Sequence, residues 1–208
     1  MSLSFELNLN FSNDQLETIS ETNTKVIVAK PTNGGAPNVA WQSFDPLTDN
    51  TLTWEEKYGV YVTTSKVVNG AELTKLSATD IPAANGKLYT LGNAGSISTP
   101  GASVDAKTSF SLLNSYSKQP YMTVGLYQDA NVNGTAIAGN AISAAGTMLA
   151  STAVMTPYTT LYVWLQSEVQ SNTVVTTVTS PMTELKFGGS VETISTSYDA
   201  ETGMFLPV

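Results

Sequence analysis

Hydrophobic and polar positions alternate with a period of two along most of the chain, the signature of strands with one face in a core. Phe5, Leu7, Leu9 and Phe11 alternate with Glu6, Asn8 and Asn10 near the start. Lys25 to Lys30, Val39 to Phe44, Thr51 to Trp54, Tyr58 to Thr63 and Leu88 to Leu91 continue the style, separated by Gly, Pro and Asn. Thr108–Leu113, Tyr121–Gln128, Thr183–Phe187, Ser190–Tyr198 and Met204–Leu206 extend it to the end. The densest apolar run is Thr159 to Thr179. It reads as a hairpin, with Leu161, Val163 and Leu165 on one side, and Val174, Thr176 and Val178 on the returning strand.

Departures from the alternation are equally informative. Ser12 to Thr24 is polar, and Asn13 or Asp14 is placed to cap a short helical turn reaching Ile19. Asn69-Gly70 is the dipeptide of tight two-residue hairpins, and Gly125 interrupts its strand like a bulge. Ala136 to Met148 is rich in Ala and Gly, and fits a short helix or a weak strand equally well. About a dozen short strands with turn punctuation every 8–12 residues predict a single-domain antiparallel β-sandwich, Greek-key or jelly-roll-like, with one or two helical turns. One domain spans 1–208, its weakest seam at 92–106; no fixed-period repeat points to a propeller or solenoid.

Composition narrows the chemistry. The chain has no Cys, His or Arg, nine Lys against seventeen Asp and Glu, and a formal charge of −8. Without Cys and His there is no zinc finger, disulfide or Ser–His nucleophile pair. An acidic chain lacking the guanidinium fork repels a nucleic-acid backbone, so no nucleic-acid partner is expected. Carboxylates, Lys, Tyr and hydroxyls are all that remain for catalysis, and the expectation is a protein that is not an enzyme. No window reaches the roughly 18 apolar residues of a membrane span. No secretory signal is visible at the N-terminus, so cytoplasmic synthesis is expected, with release by lysis or non-classical export as the route outward.

Trp41, Phe44, Trp54, Tyr58 and Tyr61 crowd twenty-one positions, interleaved with Gln42, Asp45, Asp49 and Asn50. Flat rings for C–H faces and Asp, Asn or Gln for hydroxyl pairs are the elements of a sugar site. Trp41, Gln42, Asp45, Asp49, Asn50, Trp54 and Tyr58 are therefore the candidate ligand-binding residues; the bland alternative is two core strands and a polar loop. The adjacent acids Glu55 and Glu56 point to opposite faces of a strand, which keeps them from acting as a glycosidase pair. Ser115 and Lys118 have the spacing of a serine acyl-enzyme, but the segment ends in Gln119-Pro120 and does not continue a helix.

Asp129, Asn131, Asn133 and Gly134 match the first half of a calcium loop, although the twelfth position is Asn140 where a bidentate Glu belongs. Calcium is the one cofactor the sequence raises; the alternative for the same residues is a polar β-turn. The leading expectation is a lectin-like or defence-type protein recognising glycans or cell surfaces. Low charge and Thr-rich strands raise two others: a self-assembling structural or inclusion protein, or homo-oligomer, and a β-pore-forming toxin built from Asn172–Thr179 and Ser190–Ser197.

Overall fold

The computed structural model describes residues 3–31, 33–105 and 107–208. The strands are β1 (Ser4–Asn10), β2 (Thr24–Ala29), β3 (Val39–Ala40), β4 (Gln42–Phe44), β5 (Asp49–Glu55), β6 (Gly59–Thr63), β7 (Ser77–Ala78), β8 (Leu88–Leu91) and β9 (Phe110–Asn114). They continue with β10 (Tyr121–Val132), β11 (Thr135–Ala141), β12 (Ala145–Met148), β13 (Thr152–Met155), β14 (Thr160–Ser167), β15 (Thr173–Val174), β16 (Thr183–Lys186), β17 (Thr193–Asp199) and β18 (Met204–Pro207). The single helix among the described residues is α1 (Asn13–Glu21). Its cap is Ser12, one residue before the two expected ones. The Ser12 hydroxyl accepts from the Gln15 N–H and the Gln15 side chain accepts from the Ser12 N–H, so two orphan donors are satisfied reciprocally.

The fold is all-β, and its layers follow from the alternation. The main sheet runs β18-β17-β1-β5-β10-β6-β7, with β11 and β12 on the other edge of β10. Its inner face carries Phe5, Leu7 and Leu9 from β1, Leu52 and Trp54 from β5, and Val124 and Leu126 from β10. Against it lie the sheet β16-β14-β2-β4, through Val26, Val28, Leu161 and Val163, and the sheet β13-β9-β8, through Leu91, Phe110 and Leu112. One apolar cluster thus extends from Phe5 to Phe205. The segment from Gly92 to Asp105 bends back on itself, bridging Leu91 to Ile97 and Lys87 to Ser103.

The run Thr159–Thr179 departs from the expected hairpin. β14 is central, but its partners are β2 and β16, both antiparallel. The chain after β14 pairs only briefly, Thr173 and Val174 with Ala40 and Val39. It crosses instead to cover the outer face of β2 and β14, where Trp164 packs with Ile27, Ala29, Ala40 and Val175. A β14 apolar on both sides needs two covers, and the returning segment is the second one. Of the Ser190–Ser197 stretch, residues 193–197 lie in the main sheet, where β17 pairs parallel to β1 and antiparallel to β18.

Turn chemistry also relocates. The Asn69-Gly70 dipeptide does not close a hairpin: the Asn69 side chain accepts from the Thr176 and Thr177 N–H groups, and Gly70 donates to Val174. The two-residue hairpin is at Asn133-Gly134, both at positive φ (50° and 82°), joining β10 to β11. Gly125 marks close packing, since a Cβ there would sit 1.9 Å from the Ser143 carbonyl oxygen and 2.6 Å from the Tyr61 ring. The bulge in β10 comes later, between Gln128 and Ala130.

Candidate functional site

The stretch Trp54-Glu55-Glu56-Lys57-Tyr58 leaves the end of β5 and keeps its alternation through a tight turn. Glu56 donates its N–H to Leu3, and Lys57 its N–H to Glu55. Trp54, Glu56 and Tyr58 therefore point inward, while Glu55 and Lys57 point out. Two environments result from five residues.

The inner one is a closed cage around Lys30. Lys30 follows β2 in phase with Val26 and Val28, so its side chain enters the core, where it is only 1% exposed. Its ammonium donates to Glu56 Oε1 at 3.0 Å and to the Tyr58 hydroxyl at 3.3 Å. It also lies 5.2 to 5.4 Å from the ring centroids of Trp41, Trp54 and Tyr58, within reach of their negative faces. Trp54 Nε1–H donates to the same Glu56 oxygen at 2.9 Å, and the Tyr58 hydroxyl to the other oxygen. Trp41 Nε1–H donates to the Gln128 carbonyl at 3.2 Å. Burial depresses the Lys30 amine, an effect Glu56 only partly offsets, and raises the Tyr58 phenol with help from the Glu56 charge.

The aromatic face expected for sugar stacking is absent for that reason. Trp41 is 0%, Trp54 4% and Tyr58 5% exposed, and their rings serve Lys30 and one another. Gln42 and Asn50 are buried too. Asn50 donates to the Leu9 and Leu47 carbonyls and accepts from the Leu47 N–H, holding the loop before β5. Asp45 and Asp49 are exposed, but Asp45 pairs with Lys25 at 3.4 Å and Asp49 accepts from Asn10 at 2.6 Å. The seven candidate residues do not converge on one surface.

The calcium-loop expectation is corrected by the strand geometry. Asp129 and Asn131 belong to β10, and Asn133 begins the hairpin turn. Asp129 Oδ1 accepts from the Gly139 N–H of β11, whereas Asn133 Oδ1 accepts from the Thr51 N–H of β5. Those neighbours lie on opposite edges of β10, so the oxygens diverge instead of wrapping an ion. Among the described residues no group of three or more carboxylates is placed to hold a metal.

The outer environment was not foreseen as a unit. Ladder pairing of Asn131 with Thr53 and Val132 with Leu52 sets the end of β5 beside β10. An open cleft of about 400 Å³ results, lined by Ser4, Thr53, Trp54, Glu55, Lys57, Ile81, Asp129, Ala130 and Asn131. Glu55 and Lys57 form an ion pair on its rim. Gln128 Nε2 donates to the Glu55 carbonyl at 2.6 Å, tying the Glu55 backbone to β10. Beyond Asp129, the Lys75 ammonium lies 3.8 Å above the Tyr127 ring and donates to the Gly139 carbonyl. Its burial lowers the amine's affinity for a proton, against the pull of Asp129. The cleft thus offers two carboxylates, an amide, hydroxyls and one ammonium, with Ile81 as its apolar side chain.

The sequence held both halves of this cleft, Glu55 within the aromatic–acid run and Asp129 and Asn131 within the ion-loop match. The missing link was a ladder between residues almost eighty positions apart. No protein-family model matches this chain, and the curated proteins and solved structures likewise gave no significant match.

Proposed function

We propose that the protein is a non-enzymatic binding protein that recognises glycans through the cleft between the end of β5 and β10. The observation that carries the reading is the convergence of Glu55, Asp129, Asn131 and Lys57 on one open, hydroxyl-lined hollow. Vicinal sugar hydroxyls need paired acceptors and donors: carboxylates accept, an amide does both, and an ammonium donates. Ile81 suits the C–H side of a ring, and the volume fits one or two sugar units. Recognition rests mainly on polar pairs here, since no exposed ring lines the cleft.

A glycan array probed with the wild-type chain, Glu55→Gln and Asp129→Asn tests it. Selective binding by the wild type, lost in both variants, with bound glycans recovered uncleaved, is the expected result. An array without binding, or binding unchanged in both variants, overturns the reading.

A second reading, self-assembly, draws on the outermost strand of the main sheet. β18 exposes Leu206 at 46%, and Val208 beyond it is 78% exposed. Pro207 removes a donor from that edge, and the Phe205 N–H is already bonded to Thr183 Oγ1, features that blunt edge pairing. Sedimentation at rising concentration separates the readings: association abolished by Leu206→Lys favours assembly, and a monomer throughout removes it.

A further inference from the structure

β12 and β13 are separated by three residues, a spacing at which consecutive strands ordinarily pair. They do not pair here. β12 continues the main sheet on β10, while β13 joins β9 in another sheet. The connection diverts the chain through Ala150 at φ 61°, with its N–H given to the Asn114 carbonyl and that of Leu149 to Pro120. The two strands therefore diverge from a common turn and leave a cleft of about 320 Å³ between the sheets.

Four buried residues form the apolar floor of this cleft: Val124, Leu126, Ile142 and Met155. Met148 and Val154 stand at its mouth, 71% and 50% exposed. Such a concentration of exposed apolar side chains around a preformed hollow marks a binding site more often than scattered surface residues do. Unbranched Met at a mouth adapts its shape to what enters.

The lining also specifies charge. It contains no carboxylate, and its one cationic residue, Lys30, has its ammonium engaged by Glu56 and the Tyr58 hydroxyl. A charged ligand would lose hydration there without gaining a partner. Wall hydroxyls from Thr147 and Thr152 can meet a single polar group. We propose that the β12–β13 cleft is a second binding site, distinct from the β5–β10 cleft, for an uncharged, fragment-sized molecule with an apolar body and one hydroxyl or carbonyl. The volume, at the small end of ligand pockets, sets that size.

Ala145 supplies the test. It lines the cleft and pairs with Val124 across the ladder, so its side chain shares the face of the cleft floor, and Ala145→Trp fills the hollow. The uncharged dye N-phenyl-1-naphthylamine is titrated into wild type, Ala145→Trp and Asp129→Asn, each checked by a melting curve, then displaced with 1-octanol or with octanoate. The expected result is saturable fluorescence enhancement, at least tenfold weaker binding in folded Ala145→Trp, no change in Asp129→Asn, and displacement by octanol far better than by octanoate. A silent dye, equal binding in Ala145→Trp, or equal displacement by octanoate overturns the proposal. Dye binding that falls as the protein self-associates at rising concentration, followed by sedimentation, overturns it as well, because the rim is then a contact between copies.

Discussion

Two regions fed by the same five residues differ in almost every physical respect. Inside, Trp54, Glu56 and Tyr58, joined by Trp41, close around Lys30 with three rings and a carboxylate, and nothing in the cage faces solvent enough to meet a ligand. Outside, Glu55 and Lys57 meet Asp129 and Asn131 across an open hollow. The inner groups are chemically richer, yet their hydrogen bonds are spent on one another. The outer groups are ordinary surface residues made useful by convergence. Aromatic–acid density in a sequence therefore reports the core here, and the binding chemistry falls to the alternate positions between the rings.

The largest effect should come from splitting the inner pair. Glu56→Ala leaves a buried ammonium without its counter-charge, and a loss of about 3–5 kcal/mol in denaturant unfolding is expected. The paired change Lys30→Met with Glu56→Gln should recover much of it, because the uncompensated charge is gone. A double change no more stable than Glu56→Ala alone would mean that the cage contributes through shape and not through charge.

Alkaline unfolding sharpens the same contrast. Burial holds the Tyr58 and Tyr61 phenols protonated well above their ordinary value. Their contribution is fully present below about pH 10 and is lost as the unfolded chain ionises above it, at roughly 1.4 kcal/mol per pH unit for each phenol. Tyr58→Phe should reduce the slope above pH 10 by about that amount. Lys30 acts with the opposite sign. Its amine is depressed, the unfolded chain binds the proton more readily, and stability rises with pH until about 10.5. Lys30→Met should abolish that rise in a pH series of urea midpoints.

The outer region should respond in binding and hardly at all in stability. Glu55→Gln and Asp129→Asn are expected within about 0.5 kcal/mol of wild type. Each removes a hydrogen bond to a charged acceptor, so glycan affinity should fall roughly 10- to 100-fold. Lys57→Ala is the mildest change, since its exposed pair with Glu55 contributes about 0–1 kcal/mol; a large loss of stability there would break the separation of the two faces.

Legibility in the sequence follows the same division. Period-two alternation located most strands, including β1, β5, β6, β10 and β14, because each buries one face or both. The helix was legible from the polar run before Ile19, but its cap fell one residue earlier than expected, at Ser12, which with Gln15 satisfies donors locally. What depended on distant pairing was not. The partner of β14 proved to be β2, because the covering of Trp164 required the returning segment elsewhere. The choice between helix and strand for Ala136 to Met148 was settled as two strands by the long β10, which pairs with both. Lys30 could have been placed in the core from its phase with Val26 and Val28. The β5–β10 cleft could not, as its halves meet only through pairing of residues almost eighty positions apart, Asn131 with Thr53 and Val132 with Leu52.

Calorimetric titration of the best array glycan into Glu55→Gln and Trp41→Phe, each paired with a melting curve, tests the division most directly. Glu55→Gln should lose affinity at unchanged Tm, and Trp41→Phe should lose Tm at unchanged affinity. The reverse pattern, with affinity following Trp41 and indifferent to Glu55, would contradict the assignment of binding to the outer face.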